Sequence, residues 1–181
     1  MKPFYTILAV ILLVTGFAAS GVNGGDAMAF GIKSPDFKEG ERIPVKFTCE
    51  GTDLSPELVW EGEPAGTKSY TLIVEDPDAP MGTFIHWVVY DAPGLLRKLE
   101  RGIGNRADLE GPVQGVSSFG RAGYGGPCPP RGHGDHRYYF ILRALDVDSL
   151  GIGDGARKAE VEKAMQGHIL GETSIMGTYS R

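Results

Sequence analysis

The chain has 181 residues, with 23 acidic against 18 basic side chains and a formal net charge of −5. That length suits one soluble domain with a real core. An acidic balance with no clustered basic run excludes nucleic acid as the main partner, because phosphate-backbone binding needs a concentrated positive surface.

The first element is not part of the fold. "MKPFYTILAVILLVTGFAAS" gives one lysine, an apolar stretch from Phe4 to Ala19 and then small residues, the layout of a secretory signal peptide. Cleavage is expected after Ser20 or after the Ala27-Met28-Ala29 triplet. The reading adopted is a cleaved signal over residues 1–29 and a single domain over 30–181, with a periplasmic or secreted location. The alternative is an uncleaved anchor, although the apolar stretch is short for a span of about 20 residues. Export makes Cys49 and Cys128, the only two cysteines, a candidate disulfide. Two separately buried thiols are the other reading. Neither cysteine has a second one near it in sequence, which disfavours a structural zinc site.

Beyond residue 30 the chain reads mostly as strand. "IPVKFTC" (Ile43–Cys49), "ELVW" (Glu57–Trp60), "SYTLIVED" (Ser69–Asp76), "FIHWVVY" (Phe84–Tyr90) and "RYYFILRALD" (Arg137–Asp146) are rich in β-branched or aromatic residues and bounded by turn formers. Residues 95–132 form a glycine-rich segment with little periodicity, and loops of that length in a compact domain are often functional. One helix is expected in "GARKAEVEKAMQGHIL", where Val161, Ala164, Met165 and His168 recur on one face. Gly167 is expected to loosen its end and Gly171 to stop it. The tail "TSIMGTYSR" is expected to return as a last strand. The fold class is mostly β, an antiparallel sandwich with one or two peripheral helices.

Parity along the strands locates a candidate site. Tyr70, Leu72, Val74 and Asp76 share one face, as do Phe84, His86, Val88 and Tyr90, and as do His136, Tyr138, Phe140, Leu142 and Ala144. Asp76, His86 and His136 therefore stand at strand ends in line with apolar faces, where they can converge into a half-buried polar pocket. Each has a plainer reading: "DPDAP" as an Asx-Pro turn, His86 as a core histidine bonded to a carbonyl, and "HGDH" as loop residues with no helix to align them for a metal.

The combination of "DPDAP" (Asp76–Pro80), "HW" (His86–Trp87) and "GYGGPCPPRGHGDHRYYF" (Gly123–Phe140) resembles the phosphatidylethanolamine-binding protein family, also called the Raf kinase inhibitor-like family, in its bacterial and archaeal branch. "CEGTDLSPELVW" (Cys49–Trp60) and "GHILGETSIMGTYSR" (Gly167–Arg181) are similar to that branch as well, so the resemblance covers residues 30–181. It implies two antiparallel sheets with peripheral helices and a small pocket for phosphate, phosphoethanolamine-like head groups or acetate-like anions. The site residues it implies are Asp76, Pro80, His86, Tyr124, Gly126, Pro129, Pro130, His136 and Tyr138. In that reading His86 is the partner of Asp76, which orients the ring and raises its pKa, while Asp78 and Arg137 form a supporting ion pair. The chain departs from the animal members in the short "MGTFI" connection and in Cys128, where their pattern has a glycine. The first departure argues against kinase inhibition.

The expected function is an exported, non-enzymatic binding protein for a small anion or phospholipid head group, with no cofactor and no metal. The alternative is a protease inhibitor or other interaction module that meets an envelope protein through the 95–118 loop. A metal-dependent hydrolase built on Asp76, His86, His133 and His136 is the third reading, weakened by the absence of a G-x-S-x-G motif. A homodimer is left open.

Overall fold

The computed structural model describes Met1 and residues 28–105 and 111–181. The signal-peptide expectation falls almost wholly outside those residues.

Two antiparallel sheets carry the fold. The smaller has the order β1-β2-β5, from β1 (Gly31–Lys33), β2 (Leu58–Glu61) and β5 (Lys98–Leu99). The larger has the order β6-β4-β3-β7-β8, from β6 (Val113–Gln114), β4 (Phe84–Pro93), β3 (Ser69–Asp76), β7 (His136–Leu145) and β8 (Ile169–Tyr179). β3 is buried along nearly its whole length because both faces of the larger sheet are covered. Its even positions Tyr70, Leu72 and Val74 join Phe140, Leu142, Trp60 and Leu58 in the core between the sheets. Ile73 faces the other way, into a second cluster with Val88, Tyr90, Val161 and Met165. The one α-helix among the described residues, α1 (Lys158–Ala164), covers that second face through Val161, with Met165 at its C-cap.

β3, β7 and the tail strand fall where they were expected, with β8 beginning at Ile169, four residues before Thr173, the first residue of the tail motif. Three expectations need correction. "IPVKFTC" is not a strand: Val45–Phe47 form a 3-10 turn after Pro44, which has no N–H to give a ladder. The helix ends before His168, because Gly167 takes φ +84° and turns the chain left-handed, while Gly171 lies inside β8. His168 instead donates from its Nδ1 to Asp146 Oδ1, 2.8 Å away. Finally, the shared face of His86, Val88 and Tyr90 is broken. Val74 pairs with Trp87 but Glu75 pairs with Ile85, so His86 is the extra residue of a bulge. Phe84 and His86 stay on the inter-sheet side with Trp87 and Val89, and Val88 and Tyr90 turn to the helix side.

Cys49 and Cys128 form a disulfide that closes a separation of 79 residues. It ties the chain after the 3-10 turn to the Pro-rich segment before β7, and a backbone bond from Cys49 N–H to the Pro127 carbonyl (3.2 Å) runs beside it.

Candidate functional site

The C-terminal end of β3, the start of β4 and the start of β7 meet at one end of the larger sheet, since Asp76 pairs with Phe84 and Glu75 with Tyr139. This brings Asp76, His86 and His136 to a cavity of about 470 Å³, walled also by Pro80, Pro129 and Pro130. All three polar side chains are buried, at 3%, 3% and 1% exposure. Buried polar groups need partners, and the partners here decide what the pocket offers.

Asp76 is paired with His136, not with His86. His136 Nδ1 lies 2.7 Å from Asp76 Oδ2, and the other carboxylate oxygen accepts the Asp78 N–H at 2.8 Å. The expected Asp76–His86 pair is therefore replaced, for a reason of geometry: the bulge aims His86 at the 123–130 segment. There its Nδ1 donates to the Gly125 carbonyl, 2.7 Å away. Burial lowers the His86 pKa, a shift the Gly125 carbonyl and the Asp76 charge oppose only in part. Burial thus favours the neutral ring, with Nδ1–H committed to Gly125 and Nε2 the atom left for a ligand.

Around this centre the residues divide. Asp78 and Arg137 form the supporting pair: Arg137 donates from Nη2 to Oδ1 (2.7 Å) and from Nε to Oδ2 (2.8 Å), and the Arg137 N–H adds a third bond to Oδ2 (2.9 Å). The guanidinium holds the Asp78 carboxyl down, from 3.8 to about 2. Tyr124 and Gly126 do not face the cavity. The Tyr124 hydroxyl donates to the Phe47 carbonyl (2.8 Å) and the Gly126 N–H donates to Asp53 Oδ1 (2.7 Å), so both fix the segment that carries the Gly125 carbonyl. Tyr138 stands behind the pocket, edge-on to His86 with ring centroids 5.1 Å apart. Its buried hydroxyl has no hydrogen-bond partner among the described residues. Burial first, and then the Asp76 charge, push that hydroxyl's pKa well up.

Of the apolar wall, the sequence signalled Phe84 but not Phe119 or Met81. Phe84 and Phe119 pack edge to face at 4.8 Å and close one side, and Met81 stands fully exposed on the turn at the mouth. Cys128 also lines the cavity, so the disulfide is part of its wall. His133 caps His136: its Nδ1 is 2.8 Å from His136 Nε2. Among the described residues no group of three His, Cys, Asp or Glu side chains is arranged to hold a metal ion.

A two-sheet sandwich with a histidine- and aspartate-based pocket between "DPDAP" and the proline-rich segment defines a recognisable class. The family model for phosphatidylethanolamine-binding protein matches residues 33–180. The chain belongs to that family. It is 49% identical over 169 residues to a UPF0098 protein of Aquifex aeolicus, covering 93% of this chain and 97% of the relative. Among solved structures, Escherichia coli YbcL, described as a new member of the mammalian PEBP family, is 34% identical with a TM-score of 0.80. The match covers 85% of this chain and 99% of YbcL. A PEBP homologue from Chlamydia trachomatis, CT736, is 40% identical with a TM-score of 0.77, covering 84% of this chain and 98% of its own.

Proposed function

We propose that the protein is an exported, non-enzymatic binding protein whose pocket accepts a small anion of the phosphate or phosphoethanolamine kind. The observation that carries this reading is the convergence of His86 and His136 on one cavity, each with its Nδ1 engaged by the protein. That arrangement leaves the Nε2 of each ring as the atom that can meet a ligand, although in the free protein the Nε2 of His136 is bonded to His133 Nδ1. A protonated Nε2–H donating to an anionic oxygen is a strong, charge-assisted bond, and Asp76 balances the positive charge that results. The aspartate is thus no obstacle to anion binding, because its two oxygens are already occupied by His136 and the Asp78 amide.

Export is supported by the signal-like layout of residues 1–29 and by the disulfide, which suits an oxidising compartment. A binding role is supported by the state of two candidate nucleophiles at the site: the Cys128 sulfur is bonded to Cys49, and burial keeps the Tyr138 hydroxyl protonated.

Two-dimensional NMR titration of the purified protein with phosphate, phosphoethanolamine and acetate tests the reading. Saturable shifts at Asp76, His86, His136 and their neighbours, lost in His86→Ala and in His136→Ala, are expected. Unchanged spectra with all three anions in a folded protein would overturn it.

A further inference from the structure

We infer that His133 is an internal competitor for this pocket: its imidazole occupies the hydrogen-bonding position on His136 that an anion would use, and an anion binds His136 by displacing it. The inference rests on the anion reading above and concerns how that site is regulated.

Each imidazole nitrogen has one hydrogen-bonding direction in the ring plane. On His136, Nδ1 spends its direction on Asp76 Oδ2 at 2.7 Å, where a carboxylate accepts, so Nδ1 carries the hydrogen. Nε2 spends its direction on His133 Nδ1 at 2.8 Å. One hydrogen lies between those two nitrogens whichever ring owns it. His136 is therefore saturated by the protein's own atoms. No direction remains for a ligand oxygen while His133 stays in place.

The segment that holds His133 is built to let it go. His133 is exposed although His136 beneath it is buried. Gly132 and Gly134 flank it at φ +75° and +90°, in the left-handed region where glycine is unstrained, and no atom lies within 4 Å of where a Cβ would sit on either. The backbone of the turn is tied at its base, by Gly132 N–H to the Arg181 carbonyl (3.0 Å) and His133 N–H to the Pro130 carbonyl (3.2 Å). The His133 ring itself is held by the bond to His136. The stretch just before it is firmer: Pro129 and Pro130, which line the cavity, are stiff, and Arg181 Nε donates to the Pro129 carbonyl at 2.6 Å. The wall at Pro129 and Pro130 is thus fixed, and the turn that follows carries a removable side chain over His136.

The exchange is balanced without further groups. His133 leaves bonded to water. Dihydrogen phosphate takes the vacated direction at His136 Nε2 through one shared hydrogen, which its own hydroxyl can supply. The hydrogen bond given up, between two rings, is replaced by one to a charged oxygen, the stronger kind.

The test is calorimetric titration of inorganic phosphate into the wild-type protein, His133→Ala and His136→Ala, with ¹⁵N spectra of the imidazole nitrogens recorded alongside. The expected result is tighter binding by His133→Ala, by about tenfold, the worth of one bond to a charged group freed from competition. It includes loss of binding in His136→Ala, and movement of the His133 nitrogens to the positions of a solvated imidazole as wild type saturates. Equal affinity in wild type and His133→Ala would overturn the competition and leave the pocket reading intact. Weaker binding by His133→Ala would also overturn it, making His133 a ligand donor. Binding by His133→Ala alone would support a tightly closed form. Binding by none of the proteins would overturn the pocket reading and the competition together.

Discussion

His86 donates its Nδ1 hydrogen to the carbonyl of Gly125, 39 residues away in sequence, and that bond fixes which ring atom is left for the cavity. Because burial lowers the His86 pKa from 6.5, the folded protein binds less proton there than the unfolded chain does. The sign follows from linkage: where the unfolded state holds more protons, stability rises with pH. The contribution of His86 is thus whole above pH 6.5 and is lost as pH falls from 6.5 toward the lowered folded value. Denaturant melts of wild type and His86→Asn across that range check this, with the variant expected to show the shallower acid loss.

Anion binding reverses that proton balance. An oxyanion against Nε2 favours the charged ring, so binding takes up a proton and phosphate affinity is expected to rise as pH is lowered toward 6 (a direction set by His86, whose unperturbed pKa is about 6.5). Calorimetry in buffers of different ionisation heat reads the proton uptake directly. Uptake that vanishes in His86→Asn assigns it to that ring, and uptake unchanged in the variant would place it elsewhere.

Much of this site was legible because strands alternate. Asp76 and His136 were placed on the core-facing side by parity alone, and both strands keep their period to the end. His86 was placed correctly beside Phe84 but wrongly beside Val88 and Tyr90, since a bulge inserts one residue without leaving a compositional mark. The Asp76–His86 pairing that the resemblance implies fails for the same reason: the pairing depends on where two strand ends stand after the bulge, which is a property of register. Phe119 and Met81 lie in turns with no period to follow, so nothing in their spacing announced the apolar wall. In "IPVKFTC" the β-branched composition outweighed Pro44, and the chain formed a 3-10 turn where a strand was expected.

The Tyr138 hydroxyl separates stability from binding. A buried hydroxyl without a partner costs free energy that its removal returns, so Tyr138→Phe is expected to leave stability unchanged or raise it by about 1 kcal/mol. If an anion or a water bound with it satisfies that hydroxyl, the same change weakens phosphate binding several-fold. Chemical denaturation and titration of one purified variant measure both. A loss of stability instead would show that the hydroxyl is satisfied in the free protein.

The Asp78–Arg137 pair shapes acid behaviour. With the Asp78 carboxyl lowered to about 2, its share of stability is present above 3.8 and disappears as pH falls between those values. Arg137 is half exposed, so the pair is screened by solvent and is expected to contribute only a small amount. Asp78→Asn should lower stability by that amount at pH 7 and by nothing at pH 2, which a pair of melting series resolves. Equal losses at both pH values would mean that the carboxyl acts through the turn bond from Arg137 N–H, not through charge.

The disulfide carries the largest single stability effect expected here. Closing a 79-residue separation restricts the unfolded chain, and loop-entropy reasoning gives roughly 4 kcal/mol for a link of that span. The bond also borders the cavity and joins the segment that presents the Gly125 carbonyl to His86. That segment has other anchors, the Tyr124 hydroxyl on Phe47 and the Gly126 amide on Asp53. Cys49→Ser with Cys128→Ser is therefore expected to lower the unfolding midpoint sharply while changing phosphate affinity little. Dithiothreitol should reproduce the stability loss in wild type and leave the double variant unaffected. A large loss of affinity in a variant that remains folded would mean that the disulfide, and not those side-chain bonds, sets the position of Gly125.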